Sequence, residues 1–288
     1  MADFFKNSDK RALSSLSNLP RLEFDGAASV VAHDAVYTTQ RDGLRYDMLW
    51  APKQGSRRLF VIFSGDALRT RYDPPVFQRW SWASAFPGSC LYVSDPALYL
   101  DDKLGLAWYA GTRDVDPMPI IARIATDFGK FDDVPPDGIA GYGSSGGGFA
   151  ALRLLTVLPQ AAALAVNPQV DLERYYPGPV DTYATCCLDQ AGRAAALEAF
   201  PTRLSILCHA EALQRRQIVY MQNILDKHHL KNHYFPFCAA MGTDTDAGST
   251  GAFTRILFEH EKGHGGAEPE RVFRDAMHRI TGVSGVSS

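Results

Sequence analysis

The chain has 288 residues, enough to bury a sizeable core, and its 46% hydrophobic and 21% charged residues suit a globular protein. A formal net charge of -3 gives no basic footprint for nucleic acid or an anionic membrane surface. No apolar run approaches the roughly 20 residues of a membrane-spanning helix. The polar opening MADFFKNSDKRALSSLSNLP has no continuous apolar stretch of the secretory kind. Cys90, Cys186, Cys187, Cys208 and Cys238 lack metal-binding spacing. Together these features predict reduced thiols in a cytoplasmic protein, with no zinc site or disulfide frame.

Residues 1–28 read as a polar lead-in to one domain over 29–281. Strands are predicted at Ser29–Tyr37 and Leu44–Trp50, joined through Asp42-Gly43, a dipeptide that favours hairpin turns. Leu59–Phe63 and Ser89–Ser94 are continuous apolar runs, typical of strands covered on both faces. Ile120, Ile121, Ile124 and Phe128 recur at helical spacing within 119–128. Further strands follow at Gly138–Tyr142, Ala161–Val166, Gln217–Gln222 and Arg255–Phe258. A last helix is predicted from about Pro269 to Ile280, with Glu268 and Glu270 near its positive end. Alternating strands and helices predict an α/β protein with a mostly parallel central sheet flanked by helices. The chain between the sixth predicted strand and Gln217 exceeds one crossover. It reads as a cap insertion at about 170–212, with an Ala-rich helix near Ala191–Phe200.

Between the Gly138–Tyr142 strand and a helix over Phe149–Leu155 lies Gly143-Ser144-Ser145-Gly146-Gly147. In the frame Gly-x-Ser-x-Gly this is a nucleophile elbow, a sharp turn that lifts a serine oxygen into a cleft. A glycine-rich turn that binds nothing, or one that cradles a phosphate, is the alternative. A serine hydroxyl needs a base, and the base needs a group to fix its tautomer. On such a sheet the order is serine, acid, histidine. Among eight histidines, His264 lies in Gly263-His264-Gly265, after the last strand and before the last helix, where the base is expected. Asp226 follows the Gln217–Gln222 strand and is the expected acid. Glu211 takes that role instead if the strand is Leu204–Cys208. The amide of Gly146 and that of Gly65 or Asp66 are the expected oxyanion donors, although the Asp66 carboxylate would oppose the charge.

With elbow, acid and histidine in this order, the chain resembles the α/β-hydrolase superfamily from about Ser29 to Ile280. Several segments look like bacterial α/β-hydrolases associated with surface polysaccharides, including capsule O-acetyltransferases. They are Phe77-Gln78-Arg79-Trp80-Ser81-Trp82, Trp108-Tyr109-Ala110-Gly111, Asn167-Pro168-Gln169 and the run from Tyr220 to His229. The resemblance implies a serine esterase working through an acyl-enzyme, on a small-molecule or saccharide ester, with no metal or organic cofactor. It equally admits an O-acetyltransferase using acetyl-CoA. A non-catalytic module that binds a glycan or a protein is the reading from another class. The oligomeric state is open.

Trp80 and Trp82 are expected to bind substrate, and Trp108 offers a third ring face, with core packing as the alternative for each. Arg69, Arg71 and Arg79 are candidates for an anionic substrate or for a solvated face. Asp244-Thr245-Asp246-Ala247-Gly248 reads as a polar turn rather than a calcium loop. His228, His229 and His233 read as a helix face beside the cleft rather than metal ligands.

Overall fold

A computed structural model describes residues 16–282. Of the expected lead-in, positions 1–15 therefore lie outside the described residues. Ten strands form one sheet: β1 (Arg21–Glu23), β2 (Ala35–Arg41), β3 (Leu44–Ala51), β4 (Leu59–Phe63), β5 (Ser89–Val93), β6 (Ile139–Ser144), β7 (Ala162–Val166), β8 (Ile218–Asn223), β9 (Gly248–Thr250) and β10 (Phe253–Phe258). Their spatial order is β1-β2-β3-β5-β4-β6-β7-β8-β10-β9. The run β5-β4-β6-β7-β8-β10 is parallel throughout. β3 pairs antiparallel with β2 and β5, and β9 pairs antiparallel with β10.

The α-helices are α1 (Met118–Gly129), α2 (Gly146–Val157), α3 (Pro177–Cys187), α4 (Arg193–Ala199), α5 (Pro201–Leu204), α6 (Ala210–Leu213), α7 (Lys227–His229), α8 (Phe235–Ala240) and α9 (Glu270–Thr281). Helices cover both faces, so the central strands β4 and β7 are apolar at every position and alternate only in which core they enter. Leu59, Val61 and Phe63 join the core beneath α1 and α2. Phe60 and Ile62 join the core beneath α9, with Phe86 and Phe273. No helix among the described residues is long and apolar enough to cross a membrane.

Two differences from expectation lie at the N-terminal edge. Arg21–Glu23, within the expected lead-in, is a short strand parallel to β2. The strand expected from Ser29 begins only at Ala35, because the Tyr37 hydroxyl satisfies the preceding chain. It accepts from Val31 N at 2.9 Å and donates to Ser29 O at 3.1 Å. The hairpin turn falls where expected: Arg41 pairs with Leu44, and Asp42 and Gly43 both have positive φ, 49° and 78°. The rival strand Leu204–Cys208, which would have put Glu211 forward, is not formed: Leu204 ends α5, a 3-10 turn covers Ile206–His209, and the favoured strand stands as β8. Residues 170–213 carry α3 to α6. Tyr175, Pro179 and Thr182 line a cavity beside Asp66, while α6 packs against α2. Arg255 braces the turn at Asp244 and Asp246: its Nη2 meets Asp244 Oδ1 at 2.9 Å, and its Nε donates to Asp246 O at 2.8 Å.

Candidate active site

The loops that leave β4, β6, β7, β8 and β10 meet at the C-terminal edge of the parallel strands, where sheets of this kind bind ligands. Ser145 sits between β6 and α2 with φ 56° and ψ -121°, a strained conformation for a residue with a Cβ. The flanking glycines make the turn possible. A Cβ on Gly143 would lie 2.4 Å from the Gly147 backbone, and one on Gly147 would lie 2.3 Å from Phe63 O. Strand, elbow and helix therefore touch backbone to backbone.

Three sequence-selected residues come together. Ser145 Oγ lies 3.0 Å from His264 Nε2, and His264 Nδ1 lies 2.7 Å from Asp226 Oδ2. Asp226 is buried at the start of α7. Its burial favours the protonated carboxyl, but hydrogen bonds from His229 and His264 outweigh that and hold it well below the usual carboxylate range. Glu211 is exposed on α6 and makes no hydrogen bond to these residues among those described.

Sequence reasoning missed a second imidazole on the same carboxylate. His229 Nδ1 lies 3.2 Å from Asp226 Oδ1, and its ring stacks on His264 with centroids 3.9 Å apart and planes at 7°. Gln169 was also missed as a site residue, as was Trp108 in its contact with it. Gln169 Nε2 lies 2.7 Å from Ser145 Oγ and 3.2 Å from His229 Nε2, while Trp108 Nε1 donates to Gln169 Oε1 at 3.0 Å. The available signals were an Asp-x-x-His spacing of one helical turn and a glutamine three residues past β7. Asp226, His229 and His264 carry donor atoms within 4.8 Å of one another, a spacing that could hold a metal ion. Stacked, nearly parallel rings aim their Nδ1 atoms side by side rather than at one point, and both contact Asp226. The set is built for hydrogen bonding more than for coordination.

Gly146 is the first residue of α2, so its N–H has no acceptor within the helix. The Gly65 amide is engaged: it donates to Gln78 Oε1 at 2.9 Å. Gln78 in turn donates to Asp66 O at 2.7 Å. The Asp66 amide has no hydrogen-bond partner among the described residues. The Asp66 carboxylate accepts from Leu68 N at 3.1 Å and lies against Gly105, where a Cβ would come within 2.8 Å of Oδ1.

Two cavities share Asp66. The larger, about 420 Å³, also has Arg71, Tyr72, Gln78, Trp80 and His264 in its wall. The smaller, about 240 Å³, is lined by Leu104, Leu106 and Tyr175. Leu106 reaches the neighbour of Ser145, since a Cβ on Gly146 would lie 2.4 Å from its Cδ1. Trp80 is half-buried in the larger wall. Trp82 is only 1% exposed and meets Phe273 edge to face at 5.7 Å, so little of its ring faces the cavity. Of the three arginines, Arg71 is exposed on the wall, whereas Arg69 pairs with Asp73 and Asp102.

Arg79 lines the larger cavity but is itself held in a buried ion pair. Its guanidinium grips buried Glu268 through Nε at 3.1 Å and Nη2 at 2.7 Å, and reaches Ser144 Oγ at 3.0 Å through Nη1. The Tyr142 hydroxyl also bonds to Glu268, so this glutamate anchors the loop instead of facing the α9 dipole. A second anchor is Asn223, at the end of β8. Its Nδ2 donates to His260 O at 2.9 Å and Gly263 O at 2.8 Å, while its Oδ1 accepts from Leu225 N and His260 N, both at 3.1 Å. One buried amide thus fixes the loops of both Asp226 and His264.

No protein-family model matches the chain, and no curated protein sequence matches it. Several solved structures are similar. Dipeptidyl peptidase 4 of Porphyromonas gingivalis superposes with a TM-score of 0.57 at 17% identity, over 86% of this chain and 35% of that one. The present chain thus corresponds to about a third of that peptidase. The capsule O-acetyltransferase of Neisseria meningitidis serogroup A gives 0.53 at 14% identity, over 85% of this chain and 95% of that one. An S-formylglutathione hydrolase from Agrobacterium tumefaciens gives 0.52 at 13%, over 86% and 91%. These neighbours, the strand order and the elbow between β6 and α2 show that the chain has the α/β-hydrolase fold.

Proposed function

We propose that the protein is a serine esterase that works through an acyl-enzyme. The observation that carries this reading is the 3.0 Å contact from Ser145 Oγ to His264 Nε2, backed by the 2.7 Å contact from His264 Nδ1 to Asp226. Ser145 Oγ attacks the ester carbonyl while its proton passes to His264 Nε2. Asp226 keeps the remaining proton on Nδ1 and stabilises the imidazolium. The amides of Gly146 and Asp66 receive the tetrahedral oxyanion, and Gly65 joins them only if Gln78 releases its N–H. The bond to the leaving oxygen breaks, and His264 protonates the departing alcohol. Water, deprotonated by His264, then attacks the acyl-Ser145 carbonyl; the bond to Oγ breaks, His264 returns the proton to Oγ, and the carboxylic acid leaves. The chemistry draws on side chains and amides of the chain alone.

The cavities suggest how a substrate divides. The smaller one, where Leu104, Leu106 and Tyr175 share the wall with Asp66, Lys103 and Thr182 and Leu106 borders Gly146, suits a compact acyl group. The larger one, with Trp80, Tyr72 and polar groups in its wall, suits an alcohol such as a sugar, with Trp82 supporting the wall from behind. A cytoplasmic setting belongs to this proposal and is supported by five cysteines carrying free thiols. A second reading is favoured by the acetyltransferase neighbour, which aligns over nearly its whole length and has been solved with CoA. In that case a sugar hydroxyl, not water, takes the acyl group from Ser145 and acetyl-CoA supplies it.

A fluorophosphonate probe tests the shared core. Labelling of the wild type and not of Ser145→Ala is expected; an unlabelled wild type points to a binding module instead. Acetate release from p-nitrophenyl acetate without any acceptor supports the esterase. Release from acetyl-CoA only when oligosaccharide is present, with acetylated sugar as product, replaces it with the transferase.

A further inference from the structure

The contacts behind Ser145 close into a ring, and elementary donor and acceptor rules settle their directions. An indole N–H can only donate, so Trp108 takes Gln169 Oε1 and the Gln169 amide nitrogen faces the other way. An amide nitrogen has two hydrogens and no lone pair to offer. Its contacts to Ser145 Oγ at 2.7 Å and His229 Nε2 at 3.2 Å are therefore both donations. His229 must accept at Nε2, which leaves its proton on Nδ1, facing Asp226. Burial enforces that neutral form by pushing the His229 imidazolium down to about 4. Since Gln169 donates to Ser145 Oγ, the hydroxyl hydrogen has one acceptor in reach among the described residues, His264 Nε2 at 3.0 Å.

We propose that His229 and Gln169 are positioning residues: His229, held by Asp226, turns the Gln169 amide so that it donates to Ser145 and commits the hydroxyl proton to His264. One carboxylate then governs both sides of the hydroxyl. Through His264 it prepares the proton's destination, and through His229 and Gln169 it removes the alternatives. The same N–H steadies the charge that grows on Oγ as its proton leaves. This inference rests on the serine-nucleophile reading above.

The test is fluorophosphonate labelling of the full-length protein, with the maximal inactivation rate separated from probe affinity. Gln169→Ala is expected to slow the maximal rate roughly ten- to hundredfold with affinity within about twofold. Gln169→Glu is expected to be slower still, because a carboxylate accepts the hydroxyl proton that belongs to His264. A merely structural glutamine would give the opposite order, with the isosteric glutamate closer to wild type. His229→Phe keeps the stacked ring without its nitrogens and is expected to match Gln169→Ala. The double variant Gln169→Ala/His229→Phe should be no slower than either single one, since both break the same arm. Melting curves establish that each variant is folded. Should Gln169→Glu prove misfolded, the double-variant comparison alone decides. A glutamate variant as fast as the alanine variant, or additive losses in the double variant, overturns the inference while wild-type labelling keeps the nucleophile reading intact. An unlabelled wild type overturns both.

Discussion

The chain after β8 and the chain after β10 each bring an imidazole to the same carboxylate, with opposite construction. After β8, Asp226 caps α7 and accepts from the His229 amide at 3.2 Å. The backbone then widens into a π-helical turn over Leu230–Tyr234 that buries His233 as well. After β10 there is only a 3-10 turn at Gly263–Gly265, held at its ends by Asn223 and Glu268. The His229 side chain is 2% exposed and that of His264 is 39% exposed. An imidazole that exchanges a proton with a substrate must meet it, whereas one that orients a neighbour works best where burial keeps it neutral. Wound, buried backbone suits the second task and an open, doubly tethered loop suits the first.

The largest expected effect tests that division directly. His264→Ala should cut the acylation rate by about 10⁴-fold or more, against ten- to hundredfold for His229→Phe. If the buried histidine proved the costlier one in single-turnover acylation, the two roles would have to be exchanged. Asp226→Asn leaves one acceptor oxygen for two imidazoles and sets a donor NH2 against the other, which should cost about 10⁴-fold, with the protein still folded by circular dichroism. Next comes the tether. Asn223→Ala leaves part-buried carbonyls and amides of both loops to find water instead, so on the order of 1 kcal/mol of stability should be lost in urea unfolding, together with roughly tenfold in activity.

Acid offers a finer probe. His229 has its proton affinity lowered by burial to about 4 from 6.5, and His233 is pushed to about 2 by burial and by the neighbouring histidines. Between the lowered folded values and 6.5, the unfolded chain binds more protons, so stability should decline as pH falls below 6.5. For His229 alone the loss, complete near pH 4, is on the order of 3 kcal/mol. His229→Phe should flatten part of the slope of urea midpoint against pH, and an unchanged slope would mean the ring is not held neutral. The smallest effect is expected at Glu211, where Glu211→Gln should leave acylation within about twofold of wild type.

The parts of the site legible in the sequence are those with a periodic or covalent signature. Apolar runs such as Leu59–Phe63 betray strands covered on both faces, and the glycines around Ser145 betray backbones in contact. Strand order then directs attention to Asp226 and His264. The supporting residues carry no such mark. Gln169 and Asn223 are polar side chains at or just past strand ends, and His229 reads only as one of three histidines on a helix face beside the cleft; the converging loops bury all three. Trp108 looks like any core tryptophan until its N–H is seen to face Gln169. Arg79 reads as a surface charge because its partner, Glu268, is far along the chain. Arg21–Glu23 is too short to alternate and becomes a strand only because β2 offers it an edge.

The Arg79–Glu268 pair has a bearing on how the molecule comes into being. It joins early and late parts of the chain, and the glutamate side chain is wholly buried, so water cannot replace the guanidinium as its partner. A nascent chain that has emerged only as far as α8 already possesses its serine, but neither the imidazole meant for it nor the counter-charge for its guanidinium. On the serine-nucleophile reading proposed above, Ser145 thus depends for its base on the last strand of the parallel run and the loop that follows it.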